Sequence, residues 1–202
     1  IQPGEWTRFL LAFCYFFFLL AGYFMLRPIR GTVSSNFSEY LHLLYTATFI
    51  CMLLIVPIFG WLVSRFRRGR FVPGIYLFFI SNLVFFALAF DGDATGKWVQ
   101  LSFYVWLSVF NLFVVSIFWS FMADIFRPDQ AQRLFGSIMA GGSLGAISGP
   151  LLTANWVSTI GSRGVMFSAI ACLLVATGFA IWLGRFERQH HHDRPAKVIG
   201  GR

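Results

Sequence analysis

The sequence predicts an all-α membrane protein of six transmembrane helices with both termini cytoplasmic, on three observations. Of its 202 residues, 57% are hydrophobic and 12% charged, with a mean hydropathy of +0.71; a soluble domain carries roughly 25% charged residues. Its apolar residues come in continuous runs of about 20, the length a helix needs to cross a hydrocarbon core about 30 Å thick. Its arginines are gathered into a few short connections rather than spread along the chain.

The first run, 9–26, follows Gly4-Glu-Trp-Thr-Arg8 and precedes Arg27-Pro-Ile-Arg30. No small-residue cleavage site follows it, so it reads as a span rather than a removable signal. The second, 40–63, leads into Gly60-Trp-Leu-Val-Ser-Arg-Phe-Arg-Arg-Gly-Arg70. Charge this dense cannot enter hydrocarbon, and arginines in short loops stay on the side from which the chain was inserted, so this loop is cytoplasmic and orients its neighbours. The third run, 71–90, ends at Asp91-Gly-Asp-Ala-Thr-Gly-Lys97, and the fourth, 98–122, runs into Asp124-Ile-Phe-Arg-Pro128. The fifth, 134–157, turns through a short outward connection at 158–164 into the sixth, 165–184. Residues 1–184 are thus expected as one six-helix bundle and 185–202 as a cytoplasmic basic tail or linker. The runs are too long and too evenly apolar for barrel strands of about ten alternating residues.

The formal net charge of +8 follows from this topology. Arg8, the arginines at 65, 67, 68 and 70, Arg127, Arg133, Arg185, Arg188, Arg194, Lys197 and Arg202 fall on one side. Only Arg27, Arg30, Lys97 and Arg163 fall on the other. That bias is the positive-inside pattern, and it removes the need for a nucleic-acid partner. Cys14, Cys51 and Cys172 lie inside spans without metal or disulfide spacing, and His42 and the tail histidines lack supporting ligands, so no metal or other cofactor is expected. No nucleophile-base pair, phosphate loop or dinucleotide fingerprint occurs, so no enzyme is expected.

Several polar and glycine positions stand out against the apolar background. Gly141, Gly145 and Gly149 recur every four residues and end at Pro150, giving one helix face without side chains. Such a face serves plain helix packing, or, with a proline that removes one backbone hydrogen bond, a helix that flexes. Arg27 and Arg30, three residues apart beside Pro28, either snorkel to outer headgroups or clamp an anion from one helical face. Asp124, beside Arg127, Asp129 and Arg133, belongs to a solvated cluster at the start of the next helix, or to a gating salt bridge. Asn111, within the fourth span, needs a partner in the bundle or faces a cavity. The echo between Phe24-Met-Leu-Arg-Pro28 and Asp124-Ile-Phe-Arg-Pro128 is short enough to arise by chance. If inherited, it makes the first and fourth helices equivalent in an inverted 3+3 repeat.

Six spans with an arginine-rich loop after the second resemble the amino-terminal half of a major facilitator superfamily transporter. That family's loop signature runs Gly-x-x-x-Asp-Arg-x-Gly-Arg-Arg/Lys; Gly60, Arg65 and Arg68 match it, while Ser64 replaces the aspartate and Arg67 the glycine. Gly145-x-x-x-Gly149-Pro150 is similar to the start of the antiporter motif of the fifth helix, with Thr153 and Ala154 where that motif has glycines. Within the superfamily, Tyr23-Phe-Met-Leu-Arg-Pro-Ile-Arg-Gly-Thr32 and Phe118-Trp-Ser-Phe-Met-Ala-Asp124 resemble the ATP/ADP translocase-like transporters. The resemblance sets Arg30 where those carriers have a substrate-binding lysine and Asn111 where they have an acid important for exchange.

The resulting expectation is a secondary active transporter, or its amino-terminal half, for a small anionic or phosphorylated solute. Arg27, Arg30, Asn111 and Trp119 would bind the substrate. Gly60, Arg65, Arg68, Asp124 and the Gly141 to Pro150 helix would serve conformational change. The bilayer, the anion, and a carboxy-terminal six-helix half or second copy would be its partners, in a bacterial cytoplasmic membrane. The alternative is a non-transporting accessory or scaffold subunit, which the 26 Phe and 7 Trp would also suit.

Overall fold

A computed structural model describes residues 5–65, 68–91 and 95–192, including side chains except those at 59, 62–65, 68–71 and 188–192. The described chain consists of α1 (Trp6–Asn36), a 3₁₀ turn (Ser38–Tyr40), α2 (Leu41–Arg65), α3 (Arg68–Ala89), α4 (Lys97–Ile125) and α5 (Pro128–His192). Five helices are long and apolar enough to cross a membrane, and no strand occurs among the described residues, so the protein is an all-α membrane protein. Helix is the natural outcome, because hydrocarbon offers nothing to hydrogen-bond an unpaired backbone group.

The helices outrun the apolar segments that announce them. α1 continues past Arg27 to Asn36, since Pro28 removes one N–H without ending the helix. α5 has 65 residues, which would extend about 98 Å if straight, some three times the hydrocarbon thickness. It is not straight: Gly161 adopts φ 68° and ψ 175°, a left-handed φ that side chains rarely take. Before the break, Gly141, Gly145 and Gly149 meet Phe13, Phe17 and Ala21 of α1 in rising order. After it, Ala169, Phe179 and Glu187 meet Gly22, Phe18 and Arg8 in falling order. The two arms therefore run in opposite directions along α1, and the reversal falls within the connection expected at 158–164.

α1 is the hub. Its most apolar stretch is 67% buried, against 6% for that of α2. Phe16 stacks on Phe118 of α4 at 4.0 Å between ring centroids, and the Tyr15 hydroxyl donates to Tyr76 of α3 at 2.7 Å. The glycine stripe makes the α1–α5 contact close: a Cβ on Gly145 would collide with the Phe17 carbonyl, and one on Gly149 would lie 2.7 Å from the Ala21 carbonyl. Thr153 then donates from its hydroxyl to the Met25 carbonyl at 3.0 Å across the same interface. Backbone approach of this kind is how helices associate where lipid supplies no hydrophobic drive.

Charged groups fasten both ends. At one, buried Glu5 accepts from Gln130 Nε2 and pairs with Arg133 at 3.0 Å each, while buried Arg8 pairs with Glu187 at 3.2 Å. The start of α1 is thereby tied to the two ends of α5. At the other, Arg163 Nε donates to the Phe90 carbonyl at 2.8 Å and the guanidinium pairs with Asp91 at 3.3 Å. Phe90 follows the last residue of α3, so Arg163 satisfies a carbonyl the helix itself leaves open.

Candidate functional site

Arg30 sits on α1 two residues beyond Pro28, half-buried, where α1 faces α2 and α4. Its guanidinium carbon lies 4.0 Å from the centroid of the Tyr104 ring on α4. Tyr104 is buried with Val33 and Leu44, and its hydroxyl lies near Tyr45 of α2 and Ser34 of α1. Three helices thus converge on one cation.

The electrostatics of this place are one-sided. A guanidinium has five N–H donors and cannot lose its charge, yet Arg30 Nε is buried without a hydrogen-bond partner among the described residues. The ring face offsets part of the desolvation, roughly 0.5–2 kcal/mol for such a contact, and one buried N–H left without a partner costs roughly 1–3 kcal/mol. A carboxylate or phosphate oxygen is the complement that would satisfy both the charge and the free donor.

The other expected site residues are placed as follows. Arg27 is exposed, with its guanidinium carbon 5.4 Å from the Phe24 ring on its own helix, so each arginine engages a different ring. Asn111 stands two turns along α4 from Tyr104 on the same face, roughly 10 Å away, and is exposed. Trp119 is half-buried among Phe16, Phe118 and Phe135, with centroids 5.1 to 5.6 Å away, and belongs to the packed core around α1. Gly60 lies exposed in the last turns of α2 with open space around it. Asp124 is exposed at the end of α4. Gly141, Gly145 and Gly149 face α1, and Pro150 continues the helix, since the only non-helical backbone in α5 is at Gly161. Arg65 closes α2 and Arg68 opens α3, with side chains outside the described residues, as is the tail at 193–202.

Sequence reasoning found the cation and missed what surrounds it. Tyr104, Tyr45 and Ser34 carry no signal of their own, because tyrosines and serines are common at span ends and only the fold gathers these three. Glu5 and Arg163 were equally silent: their partners lie more than seventy residues away in the chain.

A family model described as Major Facilitator Superfamily matches residues 9–200. No curated protein and no solved structure matches.

Proposed function

The chain belongs to the Major Facilitator Superfamily, and from that premise we propose that it is a secondary active transporter of a small anionic or phosphorylated solute, or the amino-terminal half of one. The observation that carries the solute class is the Arg30 guanidinium, held over Tyr104 with a buried, unpaired Nε. Arg30 is the primary anion contact, Arg27 a peripheral attractor at the mouth, and Asn111 a polar contact further along α4. Trp119, half-buried further along α4, lines the cavity with Asn111.

The two arms of α5 count as separate crossings in this proposal, giving six, with both termini cytoplasmic and alternating access across an inverted 3+3 repeat. Each arm is longer than the roughly 20 residues a crossing needs. The arginine-rich connection between α2 and α3, with Gly60, Arg65 and Arg68, and the cytoplasmic Asp124 act as the gate. The Gly141 to Pro150 stretch slides or flexes against α1. The bacterial cytoplasmic membrane suits the arginine bias, and a second six-helix unit completes the pathway. Asn111, in place of an acid, favours a simpler anion over true ATP/ADP exchange. The accessory-subunit alternative draws on the exposed apolar face of α2, which facing lipid explains equally well.

A ligand that binds only the folded state raises its melting temperature. The full-length protein in detergent should be screened against small dicarboxylates, inorganic phosphate and sugar phosphates. At least one should stabilise the protein, and the same anion should do nothing for Arg30→Gln, itself folded with an unchanged baseline. A folded protein indifferent to every anion, or an R30Q variant stabilised equally, contradicts the proposal.

A further inference from the structure

On the other side of the Tyr104 cluster from α1, α2, α3 and α4 enclose a groove of about 790 Å³. It runs from Tyr40 and Lys97 at one end to Ile55 and Phe113 at the other, and none of Arg27, Arg30, Asn111 or Trp119 lines it. Its walls are aliphatic and aromatic, and Lys97 is the one charged residue among them. Asn82, also in the lining, already donates to the Phe78 carbonyl at 2.8 Å.

The length and lining suit one occupant. From Tyr40 to Ile55 a helix rises ~22 Å, about the length of an extended acyl chain, and the walls along that length are almost wholly apolar. Water gains little from so apolar a channel, and a void would forfeit the dispersion contacts of its walls. The flanking faces of α2 and α3, with Leu43, Leu54 and Phe78 exposed, open the groove towards lipid.

The charged end selects the headgroup. Lys97 Nζ lies 3.6 Å from the centroid of the Tyr40 ring, at the first residue of α4. The N-cap of α4 is Gly96, with no side-chain cap, so the positive end of the helix and its open N–H groups reinforce the lysine. Trp98, 78% exposed beside it, is of the kind that sits at headgroup level. We infer that this groove binds the acyl chain of an anionic phospholipid, with the headgroup phosphate at Lys97 and the start of α4. The lipid then fills the gap beneath α2, the least buried helix. This holds whether or not the protein transports an anion.

The test uses the full-length protein in phosphatidylcholine nanodiscs containing a minor fraction of brominated-chain phosphatidylglycerol or brominated-chain phosphatidylcholine. The difference between the protein and its Trp106→Phe variant isolates the fluorescence of Trp106, which lines the groove. The brominated anionic lipid should quench it about fivefold more effectively per mole, the scale one lysine near a membrane surface confers. Lys97→Gln should abolish that preference, and Ala47→Phe, which fills the groove from α2, should remove quenching by both lipids. Equal quenching by the two lipids, a preference that survives K97Q, or no quenching of Trp106 by any lipid overturns the inference. Lys97 lies outside the packed core, so K97Q decides the matter even if A47F does not fold.

Discussion

At Arg30 a permanent positive charge meets a ring face at 4.0 Å and leaves one buried donor open. The proposed anion binding would depend there on guanidinium geometry as well as charge, since an ammonium offers no planar fork. Arg30→Lys should therefore retain part of the anion-dependent stabilisation where Arg30→Gln retains none, and Arg27→Gln, at an exposed side chain, should weaken it only modestly in the same melting assay. The cation was legible in the sequence because charge at a span end is conspicuous. Its partners were not, since nothing marks Tyr104 or Tyr45 as neighbours of residue 30 until the helices pack. The glycines divide in the same way. Gly145→Leu should prevent folding, because any side chain collides with the Phe17 backbone, whereas Gly178→Ala, with open space around it, should leave the yield of folded protein unchanged. The four-residue spacing announced a bare face, but only the structure identifies α1 as what fills it.

Among the elements, α5 departs furthest from a simple run of hydrophobicity. Hydropathy located two apolar segments and the polar stretch between them, which was enough to predict a reversal at 158–164; Gly161 and its positive φ supply the turn. Hydropathy measures the thickness of the apolar slab rather than the helix, so it missed the turns that α1 and α5 add beyond the slab. Those added turns carry the end fastenings, and their burial ranks their strength. Removing one partner of a buried ion pair costs about 3–5 kcal/mol, while exposed pairs are worth about 0–1 kcal/mol. Glu187→Ala, which strands Arg8 where both side chains are 11–14% exposed, should thus lower the unfolding midpoint clearly, and Arg127→Ala, from a pair 64–70% exposed, should not. Arg163→Ala should cost about 1–3 kcal/mol, the range for a polar group left without its partner, measured by the same denaturant titration.

For the whole molecule, the contacts fix an alternation of direction. α1 runs against α4, with Phe16, Tyr23 and Arg30 meeting Phe118, Phe110 and Tyr104 in falling order. α3 also runs against α4, with Phe79 on Phe113 and Phe90 on Phe103, and so runs with α1. The first arm of α5 runs with α1 and the second against it. The Glu5 and Arg8 pairs collect at one end, and the Arg163 and Lys97 contacts at the other. Which of these ends faces the cytoplasm is the proposed orientation, and it is testable. A cysteine introduced at Asp91 should be labelled by an impermeant maleimide from outside the cell, and one at Arg127 only after permeabilisation. The central claim, however, is that Arg30 serves an anion in transit. Its most direct measurement is uptake by proteoliposomes of the full-length protein, using whichever anion raises its melting temperature and comparing wild type with Arg30→Gln. The account predicts saturable uptake by the wild type and background uptake by R30Q at equal reconstitution and equal melting temperature. Undiminished uptake by R30Q, or none by the folded wild type, would contradict it.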